Sequence, residues 1–144
     1  VRVLVCGGRD YGTTTLPDGV VIPDEQQIRR LNQILERAHE EYQQRRSILD
    51  RPDAYTAQSF VLINGGAKGA DRLAEEWGTA KPGVVVNTYY ADWKKHKRAA
   101  GPIRNVEMLK DSRPNCVIAF PGGNGTAHMV KIAKKAGVPV MEVT

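Results

Sequence analysis

Three separate apolar runs in this chain each stop at a pair of glycines. Residues 1–6 lead into Gly7-Gly8-Arg9-Asp10, and residues 60–63 into Asn64-Gly65-Gly66-Ala67-Lys68-Gly69-Ala70-Asp71. Residues 116–120 lead into Pro121-Gly122-Gly123-Asn124-Gly125-Thr126. In an open parallel α/β sheet the carboxyl ends of the strands line one edge. Ligands bind in the crevice outside that edge, where the strand order reverses. Three glycine-rich turns there imply a ligand that the backbone approaches closely, since only glycine presents its N–H with no Cβ in the way. The usual occupant of such a nest at a helix N-terminus is an anion, most often a phosphate.

Around these corners, strands and helices alternate. Residues 2–6 read as a buried strand, followed by a Thr-, Gly- and Pro-rich loop over 12–23. Asp24 is the expected N-cap of a long amphipathic helix in which Ile28, Leu31, Ile34, Leu35 and Ala38 share a face. That helix turns polar after His39, and Arg51-Pro52-Asp53 ends any continuation. Residues 59–64 form the second strand. Gly69-Ala70-Asp71 opens a second helix with Ala70, Leu73, Ala74 and Trp77 on its buried side. A turn at Lys81-Pro82-Gly83 precedes a third strand over 84–90. Residues 91–101 read as a basic loop, and 103–112 as a third helix with Pro102 in its first turn. Residues 115–120 form the fourth strand, 126–136 a fourth helix stopped by Gly137, and 138–143 the last strand.

This order predicts an α/β fold with a mostly parallel five-stranded sheet, helices on both faces and right-handed crossovers. At 144 residues, positions 1–144 read as one domain. A net charge of +5 favours an anionic partner without choosing between small nucleotides and nucleic acid. Cys6 and Cys116 sit inside apolar runs, so they are expected to be buried reduced thiols, and no metal-ligand spacing is present. No signal peptide or membrane-length apolar stretch is seen, which sets the expectation of a cytoplasmic protein with no membrane partner.

Five motifs occur in one order: Gly7-Gly8-Arg9-Asp10-Tyr11, Gly65-Gly66-Ala67-Lys68-Gly69-Ala70-Asp71, Ala91-Asp92-Trp93, Ala100-Gly101-Pro102-Ile103-Arg104-Asn105, and Pro121-Gly122-Gly123-Asn124-Gly125-Thr126. Together they resemble the YpsA-related branch of the SLOG superfamily, which groups the bacterial SMF/DprA proteins with the LOG cytokinin-activating phosphoribohydrolases. The resemblance covers nearly the whole chain apart from residues 12–23 and 43–58. It implies a Rossmann-like three-layer sandwich that binds a nucleotide or nucleotide-derived ligand. In the LOG enzymes the glycine loop runs on to a catalytic glutamate, and the matching position here is Met129. A thioether cannot activate water. The upstream Arg-x-x-x-Met segment of those enzymes is matched by Arg104 and Met108. The binding apparatus is thus carried over better than the LOG chemistry.

Read residue by residue, Gly122, Gly123, Asn124, Gly125 and Thr126 form the strongest candidate phosphate loop. A helix start adds about half a positive charge there. Gly65, Gly66 and Gly69 form a second corner. In it, Lys68 is a candidate phosphate contact, and Asp71 either binds a ribose hydroxyl or caps the helix. At the first corner, Gly7 and Gly8 precede Arg9, which either pairs with a phosphate or with Asp10 or Asp71. Trp93 either covers a base or anchors its loop, beside the basic run Lys94-Lys95-His96-Lys97-Arg98. Arg104 and Glu107 are three apart on one helix and either face the crevice together or form a surface pair. His128 is given no role.

The first expectation is a nucleotide-ligand-binding domain, with cleavage of an N-glycosidic bond as the most economical chemistry if it is an enzyme. Glu107 is then the first candidate carboxylate, followed by Asp71 and Asp92. No cofactor is expected. The second expectation is a nucleotide-signal sensor without catalysis. The third is a single-stranded DNA-binding protein of the DprA kind, ranked below a small molecule because the charge is modest and aromatics are few. The apolar face of the first helix adds the expectation of a homodimer.

Overall fold

The computed structural model describes residues 1–49 and 59–144. Five strands form one all-parallel sheet: β1 (Arg2–Cys6), β4 (Phe60–Asn64), β5 (Val84–Thr88), β6 (Cys116–Ala119) and β7 (Val140–Glu142). Their order is β5-β4-β1-β6-β7, with β1 at the centre. Alternate residues of each inner strand face opposite layers, as the period of two requires. Val3, Val5, Phe60, Leu62, Ile118 and Phe120 pack on one side with Leu31, Leu35, Ala70 and Ala74. Leu4, Cys6, Ile63, Val117 and Ala119 pack on the other with Met108, Met129 and Ala133. The first layer of helices is α1 (Glu25–Leu49) and α2 (Ala70–Ala80). The second is α4 (Ala100–Ser112) and α5 (Asn124–Lys135). This is the Rossmann-like three-layer arrangement.

Local chemistry sets the helix ends. Asp24 caps α1 as expected, its carboxylate accepting the Gln27 N–H at 3.1 Å and the Thr14 hydroxyl at 2.9 Å. The expected break at Arg51-Pro52-Asp53 lies outside the described residues. His39, on the same helix, is buried edge-on to Phe60 and Trp77 at 5.2 and 6.0 Å. Burial pulls its imidazole below the ordinary histidine value.

Two stretches differ from the sequence reading. The expected loop over 12–23 folds into an antiparallel hairpin of β2 (Thr13–Thr15) and β3 (Val21–Pro23). Its turn is held by Leu16 N–H to Val20 O and by Val20 N–H to the Asp18 carboxylate. Each strand is only three residues long and exposed, so no apolar alternation marks it. The expected basic loop over 91–101 is helical. It forms α3 (Trp93–His96), a 3₁₀ turn (Lys97–Ala99) and the first residues of α4. Asp92 starts it by accepting the Lys95 N–H at 3.1 Å.

Candidate functional site

The chain runs from β1 outward through β4 and β5, then crosses back to β6 and β7 on the other side of β1. Strand order therefore reverses between β1 and β6, the position where open α/β sheets hold ligands. A crevice of about 790 Å³ opens there, between the first and third glycine corners.

Those two corners are clasped together by backbone. Gly8 donates its N–H to Pro121 O at 2.9 Å. A Cβ on Gly8 would meet that same oxygen at 2.9 Å, and one on Gly7 would meet the Phe120 Cβ at 2.9 Å. A Cβ on Gly122 would run into the Thr126 hydroxyl. Gly8 and Gly122 are thus glycines because two loops pass within backbone contact, and Gly7 because the Ala70 and Phe120 side chains close on it. Gly123 and Gly125 are different. A Cβ at either would meet nothing within 4 Å, and neither has a positive φ. They line the crevice at the start of α5, and Gly123, as N-cap, offers no side-chain cap. The first N–H groups of α5 therefore have no intrahelical partner and no capping oxygen.

Arg9, Arg98 and Arg104 also line the crevice, as do Asp10, Asp71 and Trp93. Arg9 forms no ion pair with Asp10 or Asp71. Its guanidinium lies over the Trp93 ring, 5.2 Å from the centroid. Trp93 is half exposed, so its indole is available beside that contact.

The second glycine corner is placed differently from the expectation of a shared phosphate cradle. Gly65 lies under the Arg104 guanidinium, and Gly66 abuts Tyr90 and Thr88 away from the crevice. Lys68 is exposed and outside the crevice lining, and Gly69 packs on the backbone of Gly8 and Arg9. What this corner contributes is Ala67 and Asp71. The Asp71 carboxylate is not a helix cap. It accepts the Ala67 N–H at 3.2 Å and a further backbone hydrogen bond from Gly65. Burial raises its carboxyl to about 6, against the opposing pull of those hydrogen bonds, Arg104 and Arg9.

Arg104 enters from α4. It donates through Nη1 to Gly65 O and to Tyr89 O, and through Nε to Asn105 Oδ1 at 3.1 Å. Asn105, buried, in turn donates to Gly125 O at 3.2 Å and meets His128 Nδ1 at 3.2 Å. Neither Asn105 nor His128 was assigned a role from sequence. An asparagine inside a helix and a lone histidine carry no local signal of a site.

The other two candidate carboxylates do not line this crevice. Glu107 is exposed and borders a separate groove with Tyr89, Lys110 and Asp111, so it does not share the crevice with Arg104. Asp92 is an exposed α3 cap. Met129 is fully buried in the second layer's core. Cys6 is a free thiol that burial and the nearby Asp71 push up to about 12, which leaves it unreactive. Among the described residues no cluster of His, Cys, Asp and Glu could hold a metal ion. No described helix is long and apolar enough to cross a membrane.

A family model for YAcAr, the YspA, cpYpsA-related SLOG family, matches residues 1–96. The chain belongs to this SLOG family. The Gene 61 protein of Mycobacterium phage D29 is 41% identical over 88 residues, covering 57% of this chain and 70% of the phage protein. No solved structure matches. At a coarse level, SLOG membership points to nucleotide-related ligands. The SLOG match takes in the first two corners and Trp93 and ends at His96. Arg104 and the α5 corner lie beyond it.

Asp71 makes this SLOG protein's stability depend on pH in a definite direction. Its folded value of about 6 lies above the ordinary 3.8, so the native state holds the proton more tightly. Stability from this group is present below pH 4 and lost as pH rises through 6, by roughly 3 kcal/mol. Asp71→Asn removes the buried charge. In denaturant unfolding, the variant is expected to exceed the native chain in stability at pH 7, with the gap closing toward pH 4. Parallel stability curves would contradict this.

Proposed function

We propose that this protein binds a nucleotide or nucleotide-derived molecule in the β1/β6 crevice, phosphate on the α5 N-terminus and base against Trp93. The observation that carries this reading is the pair Gly123 and Gly125. A Cβ at either would meet nothing in the protein and neither has a positive φ, so their bare backbone lies open to a ligand that touches the first turn of α5. An anion at that point meets unpartnered N–H groups and the positive end of the helix dipole. Arg9, Arg98 and Arg104 supply the countercharge. The half-exposed Trp93 offers a stacking surface for a base.

Asp71 favours hydrolysis as a second reading. A carboxyl poised near neutrality in a cleft is the kind of group that acid–base chemistry uses. It would stabilise an oxocarbenium-like centre while water attacks, the part first considered for Glu107.

Calorimetric titration with AMP, ADP-ribose, NAD and adenosine tests binding, and chromatography of the same mixtures tests turnover. AMP is expected to bind at least tenfold more tightly than adenosine, the scale of a charge-assisted phosphate contact. Equal affinities, or no binding of any phosphate-bearing compound, would end the proposal. Release of free adenine would add the hydrolytic reading, and binding without product would leave a sensor. A single-stranded oligonucleotide that outcompetes AMP with steep salt dependence would instead favour a DNA-binding protein.

A further inference from the structure

The Arg104–Asn105–His128 chain fixes more than side-chain positions. Arg104 Nε is a donor only, and Gly125 O is an acceptor only. The Asn105 amide therefore has one orientation, with Oδ1 toward Arg104 and Nδ2 toward Gly125 and His128. The alternative would set donor against donor and acceptor against acceptor. With Nδ2 donating, His128 Nδ1 must accept. The neutral ring then carries its hydrogen on Nε2. No other described residue bonds the ring, so Nε2–H is free to meet a ligand.

The place of that donor follows from helix geometry. His128 lies four residues after Asn124, the first residue of α5, and lines the crevice. Side chains on a helix lean toward its N-terminus and cover the preceding turn. The His128 ring therefore lies over the turn that carries the open N–H groups and the two crevice-lining glycines. We propose that His128 is a ligand-binding residue, donating its Nε2–H to a phosphoryl oxygen of the molecule held there. This rests on the phosphate placement proposed above. Asn105 acts as a positioning residue, since it touches Gly125 O and the ring rather than the ligand. The consequence for ligand choice is specific. A neutral ring in this tautomer offers one donor and no acceptor, so it favours an acceptor oxygen over a ribose hydroxyl that needs to donate.

Two measurements test this. The first titrates AMP, inorganic phosphate and adenosine into the native chain, His128→Leu and His128→Gln. Glutamine keeps a donor near the Nε2 position, and leucine keeps bulk without one. His128→Leu is expected to weaken AMP and inorganic phosphate by about tenfold, the scale of a hydrogen bond to a charged acceptor, and to leave adenosine unchanged. His128→Gln should restore most of the affinity, which a purely structural role would not do. The second records nitrogen-15 spectra of labelled histidine in the ligand-free protein. The His128 signal, identified by its loss in His128→Gln, should show the Nε2–H tautomer and move when AMP is added. An Nδ1–H tautomer would overturn the assignment, as would AMP binding equally well to the leucine variant and the native chain. In both cases the crevice reading stands. If the native chain binds neither AMP nor phosphate, the placement of the phosphate and this contact fall together.

Discussion

Gly69→Ala is expected to lower stability by about 4 kcal/mol, the largest effect expected of alanine at any of the glycines. Two causes act at once. The residue has φ 79 and ψ −125, a region nearly closed to side chains, which costs about 1–3 kcal/mol. The new Cβ would also run into Gly8 O and come within 2.6 Å of the Arg9 carbonyl carbon and oxygen. These are backbone atoms that cannot swing aside, and overpacking of this kind costs about 1–3 kcal/mol more. Total stability for a chain of this size is on the order of 5–15 kcal/mol, so the melting temperature should fall by about 10 °C or more. Gly83→Ala is the control. Gly83 has a similar φ of 80 and nothing within 4 Å of its built Cβ. Alanine there should cost only the backbone penalty, about 1 kcal/mol. Calorimetric melting of both variants checks the difference. Equal losses would show that the contact between the first two corners does not matter.

Arg104→Lys should follow closely, although it conserves charge. The guanidinium serves Gly65 O, Tyr89 O and Asn105 Oδ1 from one planar fork. An ammonium on a flexible stem cannot reach all three. Leaving two half-buried acceptors unserved costs about 2 kcal/mol. The effect on the site is larger than that on the fold. Without the donor on its Oδ1, Asn105 keeps only Gly125 O to orient it, and the His128 tautomer is held less firmly. AMP affinity should fall by tenfold or more, since a bidentate cation is replaced by a point charge. Unfolding at several denaturant concentrations gives the first number and calorimetric titration the second. Unchanged AMP affinity at reduced stability would make Arg104 a structural residue only.

The two variants mark how far local pattern reached. Strand–helix alternation, the Asp24 cap and the glycine corners are encoded within a few residues each, and the structure has them. The hairpin was not read because its strands are three residues long and solvent-exposed, with Asp18-Gly19 as the single turn signal. The candidate site was legible at Arg9, Trp93, Arg104 and residues 122–126, which all line the crevice. It was not legible at Asn105 and His128.

By itself, the sequence determined the five strands of the main sheet, that they run parallel, and that glycines close three of them. Period and turn chemistry are local, so they survive without any knowledge of neighbours. Tertiary structure decided which corners meet. Arg104 and Glu107 differ by about 60° around one helix, from 3.6 residues per turn. That rotation sends the arginine under Gly65 and the glutamate into another groove. Likewise, 23 positions separate Asn105 from His128, and only the packing of α4 on α5 brings them to 3.2 Å. Convergence of this kind depends on helix rotation and layer spacing, which no local pattern of residues records.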